Sequence, residues 1–231
     1  MRGSATAVLW DVDGTLLTSG SVAAQAFLDA VADVAGRRPV GRGLDLGGRI
    51  DPEIATMLLQ SVGADADLVP AVLSRLHERM ASRAEELRRR VKPLAGVVDL
   101  VRLLHAAGVR QTVVTGNIES VARMKLAAVG VVPPIDPNLG GFGDSGADRV
   151  AVACRALDHL IEDGWQPSLG QCWIIGDTPR NLLCARAVGV RCALIGSGRH
   201  SAESMAGLAP DVLTGNLADS AVLLGAMGLR G

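Results

Sequence analysis

The stretch "AVLWDVDGTLLTSG", residues 7–20, begins with an apolar run and then turns abruptly acidic. Residues 7–10 are apolar and typical of a buried strand. Asp11 and Asp13 follow this run directly, and Gly14 comes next. Two carboxylates this close to each other repel in a poorly solvated site. We therefore expect a cation to lie beside Asp11 and Asp13.

Three other short apolar runs end in the same way. "QTVVT" (111–115) runs into Gly-Asn, "CWII" (172–175) into "GDTPRN", and "CALI" (192–195) into "GSG". Helix-like stretches separate these runs, at 97–108, 118–130 and 149–164. Strands that alternate with helices predict an α/β fold in which helices cover both faces of a parallel sheet. Ligands of such sheets bind beyond the carboxyl ends of the strands, where these polar residues cluster.

The segment between the first two apolar runs interrupts this alternation, because it shows helical patterns only. We interpret it as a small helical cap that is inserted after the first strand. The predicted organisation is a parallel-sheet, Rossmann-like α/β core over 1–16 and 93–231, with the helical cap over 17–92. "LLTSG" (16–20) and "VKPLAG" (91–96) are the expected outgoing and returning connections.

The composition argues against several classes of function. The chain has 231 residues, a formal net charge of −1 and 48% hydrophobic residues, which is typical of a soluble globular protein. The near-zero charge gives no reason to expect nucleic acid or an anionic membrane as a partner. No apolar run reaches the roughly 18 residues of a membrane span, and the first ten residues lack a signal-peptide pattern. We therefore expect a cytoplasmic protein, and the sequence carries no signal that indicates an oligomeric state.

Four features occur together and in order: "DVDGT", a helical insertion, "VVTGN" and "WIIGDTPRN". In this the chain resembles the haloacid dehalogenase superfamily hydrolases, in the subgroup that carries a helical cap after the first strand. Phosphoglycolate phosphatases and beta-phosphoglucomutases belong to this subgroup, and the resemblance covers nearly the whole chain. It implies a Mg²⁺-dependent phosphatase that hydrolyses a small phosphorylated metabolite through an aspartyl-phosphate intermediate.

The resemblance also implies roles for single residues. Asp11 matches the nucleophile, and Asp13 matches the general acid and base, a role that needs a pKa raised toward the working pH. Thr115 matches the phosphate-binding hydroxyl, and Asp177 matches a magnesium ligand. Because Mg²⁺ prefers octahedral oxygen ligands, we expect Asp11, Asp177 and the backbone carbonyl of Asp13 to bind it.

Further donors after the predicted strands suit a phosphate group. Gly14 lets the chain turn sharply, so that its own N–H can approach the phosphate, and Gly116 and Asn117 offer additional donors. Arg149, at a predicted helix start, adds a planar and permanently charged guanidinium. Lys125 is the rival for this supporting role, although it lies inside a predicted helix, where a surface or indirect role is an equal alternative.

Two motifs depart from the family pattern. The family usually has an acid where this chain has Asn181, which we expect in the outer shell of the metal, accepting a hydrogen bond from a metal-bound water. The cap motif, often Gly-Arg-Thr-Asp, reads Gly-Arg-Ile-Asp at 48–51. Arg49 and Asp51 are therefore candidates for substrate recognition by the cap. Alternatively they pair with each other, with Asp51 as the N-cap of a helix that has Pro52 in its first turn.

Other functions fit parts of the pattern. A phosphomutase of the same superfamily shares the nucleophile and the acid. A 2-haloacid dehalogenase fits less well, because that chemistry needs no metal and its enzymes lack an acid at the position of Asp13. Cleavage of phosphonates through a Schiff base requires a cap lysine, and residues 16–91 contain none. A weakly active or non-catalytic binding protein is favoured only by Asn181.

Overall fold

The computed structural model describes residues 6–40, 44–166 and 168–229. Within these residues the strands are β1 (Ala7–Trp10), β2 (Leu17–Thr18), β3 (Lys92–Pro93), β4 (Arg110–Val113), β5 (Cys172–Gly176), β6 (Arg191–Ile195) and β7 (Val212–Thr214). The α-helices are α1 (Val22–Ala35), α2 (Asp51–Ser61), α3 (Val69–Ser82), α4 (Ala84–Arg90), α5 (Val97–Ala106), α6 (Glu119–Val129), α7 (Arg149–Glu162), α8 (Pro179–Val188), α9 (Ala202–Met205) and α10 (Ala221–Ala226). Helices separate successive strands from β3 onward.

The central sheet has five parallel strands in the order β4-β1-β5-β6-β7. This confirms the predicted α/β fold with a parallel sheet. β1, β4, β5 and β6 coincide with the four apolar runs to within two residues. β7 has no counterpart in the sequence pattern, because its three residues, two of them only half-buried, give no clear apolar run.

Alternate residues of β1 point to opposite faces of the sheet. Val8 and Trp10 join a hydrophobic core that also contains side chains of α1 to α6, whereas Ala7 and Leu9 join a second core with side chains of α7 and α8. All four side chains are fully buried. Because helices cover both faces, the polar residues that follow the strands are left at the carboxyl ends of the sheet.

Four helices, α1 to α4, occupy the segment between β2 and β3. The helical pattern over 66–90 is divided into α3 and α4 at Arg83. Its ψ of 16° leaves the helical range, and its guanidinium pairs with Asp29 of α1. Among the described helices, none combines the length and the apolar character that crossing a membrane requires.

The two connections of this helical segment pair with each other as β2 and β3. The pairing is antiparallel, with Leu17 opposite Pro93 and Thr18 opposite Lys92. The predicted boundaries between core and cap fall at this short ribbon, and the division into two domains stays a prediction. The predicted domain ranges include positions that lie outside the described residues, namely 1–5, 41–43, 167 and 230–231.

The strand order places three polar segments side by side. β1 lies between β4 and β5, with Trp10 in register with Val113 on one side and with Ile175 on the other. Parallel strands end at the same edge of a sheet. The residues that follow these three strands therefore meet at one edge.

Candidate active site

A cavity of about 610 Å³ opens at the carboxyl ends of β1, β4 and β5. All but one of the site residues predicted from the sequence line it: Asp11, Asp13, Gly14, Arg49, Asp51, Thr115, Gly116, Asn117, Lys125, Arg149 and Asp177. The exception is Asn181, which is fully buried against Asp11. The predicted residues are thus brought together, although several of them make contacts other than those expected.

Asp11 is held by three donors at the end of β1. Its Oδ1 accepts the backbone N–H of Val12 at 2.8 Å. Its Oδ2 lies 2.8 Å from Arg149 Nη2 and 2.9 Å from Asn181 Nδ2. The residue is only 5% exposed, so these donors replace water around the carboxylate. The contacts fix the carboxylate beside the cavity.

The side-chain amide of Asn181 has one orientation that fits its neighbours. Its Oδ1 accepts the backbone N–H of Thr178 at 3.0 Å and the Thr178 hydroxyl at 2.6 Å, and this closes a capping box at the start of α8. A carbonyl oxygen has two lone pairs, so Oδ1 is fully used and Nδ2 faces Asp11. This differs from the expected role as acceptor for a metal-bound water, because that oxygen has no lone pair left.

Asp13 also has three donors. Its Oδ2 accepts Lys125 Nζ at 2.5 Å and Asn117 Nδ2 at 2.9 Å, and its Oδ1 accepts the Ser19 hydroxyl at 3.2 Å. Burial raises the pKa of Asp13, but the Lys125 ammonium and these hydrogen bonds outweigh burial and hold the pKa below its ordinary value. The sequence led us to expect a raised pKa, and the pairing with Lys125 is the reason for the difference.

Lys125 is almost fully buried, with 3% of the residue exposed, although it lies in the middle of α6. Its Nζ donates to Asp13 Oδ2 and to Asn117 Oδ1. Burying a lysine is costly unless it is paired, and the pair with Asp13 explains its position. Of the two roles that the sequence left open for Lys125, phosphate ligand or indirect support, these contacts favour support of Asp13.

Arg149 is the first residue of α7, and Asp148 caps that helix by accepting the backbone N–H of Ala151 at 2.8 Å. Arg149 Nη2 lies 2.8 Å from Asp11 Oδ2 and donates to the carbonyl oxygen of Val114 at 3.2 Å. Its Nε is buried and has no hydrogen-bond partner among the described residues. The guanidinium therefore lies beside Asp11 at the cavity, and its role toward a phosphate stays a prediction.

Asp177 sits in a recess next to two glycines. A Cβ on Gly14 would lie 2.2 Å from Asp177 Oδ2, and a Cβ on Gly198 would lie 1.6 Å from it, so neither position accepts a side chain. The Thr15 hydroxyl donates to Asp177 Oδ1 at 3.4 Å. Burial, and after it the negative charge of Asp11, raise the pKa of Asp177 to about 7. A cation beside the two carboxylates would offset this repulsion.

The oxygen atoms near Asp177 suit Mg²⁺. The described residues contain no group of three or more His, Cys, Asp or Glu that could hold a metal ion. The set that fits is smaller: the carboxylates of Asp11 and Asp177 with the main-chain carbonyl of Asp13, all oxygen donors of the kind that Mg²⁺ prefers. The side chain of Asp13 does not belong to this set, because Lys125 and Asn117 bind it.

Of the two predicted phosphate donors Gly14 and Thr115, only Thr115 has a hydrogen left to donate to a ligand. Gly14 has a φ of 81°, which favours glycine, but its N–H donates to Leu17 O at 2.9 Å and is not available to a phosphate. The Thr115 hydroxyl accepts the backbone N–H of Asn117 at 3.2 Å. A hydroxyl that accepts one bond still has its own proton to donate, so Thr115 keeps a donor for a ligand.

The loop before α2 packs directly on the end of β4. A Cβ on Gly116 would lie 1.9 Å from Arg49 O, and the Asp51 N–H donates to Gly116 O at 2.6 Å. Asp51 Oδ2 accepts the backbone N–H of Ile118 at 2.8 Å. Asp51 was expected to be the N-cap of α2, but it is the first residue of that helix. The N-cap position belongs to Ile50, which gives no side-chain hydrogen bond.

Arg49 and Asp51 do not pair with each other, so the alternative that assigned them to each other is wrong. Arg49 Nε donates to Asp45 O at 2.7 Å, and its Nη1 lies 3.8 Å from Glu53 Oε2. Burial raises the pKa of Asp51 to about 7, although the Lys125 ammonium acts in the opposite direction. Both residues line the cavity, and their role in substrate recognition stays a prediction.

Five polar residues that line the cavity were not predicted from the sequence: Thr18, Ser19, Thr178, Ser197 and Arg199. Ser19 donates to Asp13, Ser197 donates to Gly14 O at 2.9 Å, and Arg199 lines the cavity from an exposed position. Ser197 and Arg199 follow β6 in the same way that the other site residues follow their strands. That signal, polar residues after an apolar run, was present in "GSGR" and could have found both.

Comparison with known proteins gives a family match and a curated relative. A sequence model of the haloacid dehalogenase-like hydrolase family matches residues 8–186. A phosphoglycolate phosphatase from Rhodospirillum rubrum is 28% identical over 218 residues, which cover 87% of this chain and 83% of that protein.

Solved structures share the fold. CbbY from Rhodobacter sphaeroides, in complex with phosphate, superposes with a TM-score of 0.66 at 22% identity. The superposition covers 93% of this chain and 96% of the CbbY chain. A haloacid dehalogenase-like hydrolase from Streptococcus pneumoniae superposes with a TM-score of 0.68 at 18% identity, over 95% of this chain and 98% of its own. The family match spans more than half of the chain, so the predicted resemblance and the predicted enzyme class, a phosphatase, are confirmed, and this chain belongs to the haloacid dehalogenase-like hydrolase family.

Proposed function

We propose that this phosphatase hydrolyses a small phosphorylated metabolite, with Mg²⁺, through an aspartyl-phosphate on Asp11. The observation that carries the proposal is the placement of Asp11, whose carboxylate faces the cavity and is held by Arg149 and Asn181. A carboxylate fixed in this way is positioned to act as a nucleophile. Similarity to a phosphoglycolate phosphatase and to a structure with bound phosphate supports phosphate esters as the substrate class.

The proposed chemistry has two steps. In the first, an oxygen of Asp11 attacks phosphorus, the bond to the ester oxygen breaks, and Asp13 gives a proton to the leaving alcohol. In the second, the oxygen of a water molecule attacks phosphorus and its proton passes to Asp13. The bond between phosphorus and Asp11 then breaks, and inorganic phosphate leaves. Asp11 and Asp13 end in the states in which they began.

Lys125 acts against the protonated form of Asp13 that the first step needs, and in favour of the carboxylate that the second step needs. Although burial acts against it, Lys125 lowers the pKa of Asp13 and favours the carboxylate, which is the form that takes a proton from water. A phosphate dianion acts in the opposite direction, because nearby negative charge raises the pKa of a carboxyl group and competes for the ammonium. Proton transfer by Asp13 therefore depends on how Lys125 is shared between Asp13 and the substrate.

Asp11, Asp177 and the main-chain carbonyl of Asp13 would hold the Mg²⁺ ion. When bound, the ion supplies positive charge that offsets these carboxylates and the developing charge on the phosphoryl oxygens. Within the described residues, the two buried cations of the site pair with Asp11 and Asp13, and Asp177 has no ion pair. The charge of Asp177 is therefore the one that a metal ion is needed to balance.

Release of p-nitrophenol from p-nitrophenyl phosphate, measured with Mg²⁺ and with EDTA, tests the proposal. We expect turnover with Mg²⁺, a rate at least about tenfold lower in EDTA, and almost none for Asp11→Asn. Asp65→Asn, at an exposed position away from the cavity, is the matched control. Equal rates with Mg²⁺ and EDTA would contradict the metal, and a near wild-type rate for Asp11→Asn would contradict the nucleophile. A phosphomutase is distinguished by trapping a bisphosphorylated intermediate.

A further inference from the structure

We propose that the leaving group of the substrate is an apolar alcohol without a second anionic group. The inference rests on the proposed phosphatase function and concerns the part of the cavity that lies away from Asp11. The cavity, about 610 Å³, falls within the range of about 300–1,000 Å³ that is usual for small-molecule sites. A phosphate group fills only a small part of this volume, so the leaving group contacts the remaining walls.

Eight charged side chains line the cavity. They are Asp11, Asp13, Arg49, Asp51, Lys125, Arg149, Asp177 and Arg199. They come from the strand ends, from α6 and α7, and from Arg49 and the first residue of α2, whereas α1 contributes none. The part of the cavity that α1 lines is therefore uncharged.

The α1 wall is apolar. It consists of Ala23, Ala24, Phe27 and Leu28, whose spacing of three and four residues places them on one face of the helix. Ala24 is exposed, and Ala23 and Leu28 are only half-buried, so this face contacts whatever occupies the cavity. An apolar leaving group gains from burial against such a face, whereas a charged one loses hydration without finding a partner.

Two further cations, Arg49 and Arg199, line the cavity. Arg49 Nε donates to Asp45 O at 2.7 Å, and its Nη1 lies 3.8 Å from Glu53 Oε2, so acceptors of this chain already face the guanidinium. Arg199 is exposed at the rim. A substrate such as phosphoglycolate, which carries a carboxylate beside its phosphate, would find no charged partner for that carboxylate on the α1 face.

Measuring kcat/KM of the full chain for a series of n-alkyl phosphates tests whether the cavity binds an apolar leaving group. We expect kcat/KM to rise by about two- to fourfold for each methylene added from ethyl to octyl phosphate, which is the effect of burying one methylene group. We expect phosphoglycolate and glycerol 3-phosphate to be at least about tenfold poorer than octyl phosphate. A flat series, or a preference for phosphoglycolate, would overturn the proposal, and the latter would point to Arg49 or Arg199 as a second anion site.

Two matched variants locate the pocket. Ala24 is the third residue of α1, and Ala71 is the third residue of α3; both helices have 14 residues and both alanines are exposed. Of these two alanines, only Ala24 lines the cavity. An aspartate in the first turn of a helix is favourable, so both Ala24→Asp and Ala71→Asp are expected to fold. We expect Ala24→Asp to lower the octyl-to-ethyl ratio of kcat/KM about tenfold and Ala71→Asp to leave it unchanged. Equal ratios in the two variants would overturn the assignment to α1.

Binding separates this inference from the proposed function. Octylphosphonate and ethylphosphonate are not hydrolysed, so their affinities for the wild-type protein with Mg²⁺, measured by calorimetry, report on the pocket without chemistry. If the protein hydrolyses no phosphate monoester, the proposed function fails. At least about tenfold tighter binding of octylphosphonate would still support the apolar pocket, and equal affinities would overturn it.

Discussion

Asn181 Nδ2 donates a hydrogen bond of 2.9 Å to Asp11 Oδ2, so a neutral amide holds the carboxylate at the end of β1. The resemblance to the family led us to expect an acid at this position, and an ionised acid has no proton to donate. Asn181 therefore gives Asp11 a donor where an aspartate would place a like charge. As a result, the carboxylates of Asp11 and Asp177 have one negatively charged neighbour fewer than they would have with an aspartate at position 181.

Asn181→Asp is expected to make the fold more dependent on Mg²⁺. The new carboxylate would face Asp11, and the repulsion should lower Tm in EDTA by several degrees, at about 2–4 °C for each kcal/mol. Mg²⁺ should restore more of Tm in the variant than in the wild type. Thermal unfolding with and without Mg²⁺ measures both shifts, with Asn216→Asp, at an exposed turn, as the control. Equal Mg²⁺ shifts in Asn181→Asp and the wild type would show that Asn181 does not act on the metal pair.

Lys125→Met removes the cation that binds Asp13 while keeping most of the side-chain volume. We expect its effect to follow that of Asp13→Asn, which should slow alkyl phosphates by about 10²–10⁴ and p-nitrophenyl phosphate much less, because nitrophenolate leaves without a proton. The loss in Lys125→Met should be smaller than in Asp13→Asn and should depend on the leaving group in the same way. Single-turnover rates on both substrates measure this, and an equal loss on both would mean that Lys125 does not act through Asp13.

Arg149→Met should weaken phosphate binding whatever the leaving group. Because Arg149 lies beside Asp11, we expect KM to rise about tenfold for alkyl and nitrophenyl phosphates alike, with a lower kcat. The inhibition constant of inorganic phosphate should rise by a similar factor. If Lys125→Met raises that constant more than Arg149→Met does, the phosphate-supporting cation has been assigned to the wrong residue.

Asp51 gives the fold a pH dependence with a defined sign. Burial raises its pKa from the ordinary 3.8 to about 7, so between these values the folded protein keeps a proton that the unfolded chain loses. The free energy of unfolding therefore falls as the pH rises through this window, and the loss is complete above about pH 7. Asp51→Asn cannot ionise and still has an oxygen to accept the Ile118 N–H. Its Tm should exceed that of the wild type by several degrees at about pH 8 and match it near pH 4.

Asp65→Asn is the control for this measurement, because the Asp65 carboxylate also accepts a backbone N–H, from Asp67 at 3.0 Å, but at an exposed position. We expect its Tm to follow that of the wild type at every pH. A gain in Tm for Asp51→Asn that is no larger near pH 8 than near pH 4 would contradict the raised pKa of Asp51.

The strand ends were predictable from the sequence because the signal there is local. Asp11 and Asp177 each come directly after a strand, and Thr115 follows β4 by two residues, at the end of an apolar run. Parallel strands bring such residues to one edge, so three short patterns were enough to place them together. Ser197 follows β6 by two residues, so the same pattern predicts its position at this edge.

The partners of buried side chains were not predictable in the same way. Lys125 reaches Asp13 across 112 positions of sequence, and Asp51 reaches Ile118 across 67. Such contacts depend on how α6 and the helical segment pack on the sheet, and no periodicity in the sequence encodes that. The lowered pKa of Asp13 follows from its contact with Lys125, which is why it differs from expectation.

Covalent trapping tests the role of Asp11 most directly. The wild-type protein is mixed with a radiolabelled phosphate monoester and Mg²⁺, quenched in acid during turnover, and digested, and the label is located by mass spectrometry. We expect label on the peptide that contains Asp11, removable by hydroxylamine as an acyl phosphate is, and none in Asp11→Asn. Turnover without any labelled peptide in the wild type, or label that persists in Asp11→Asn, would contradict an aspartyl-phosphate on Asp11.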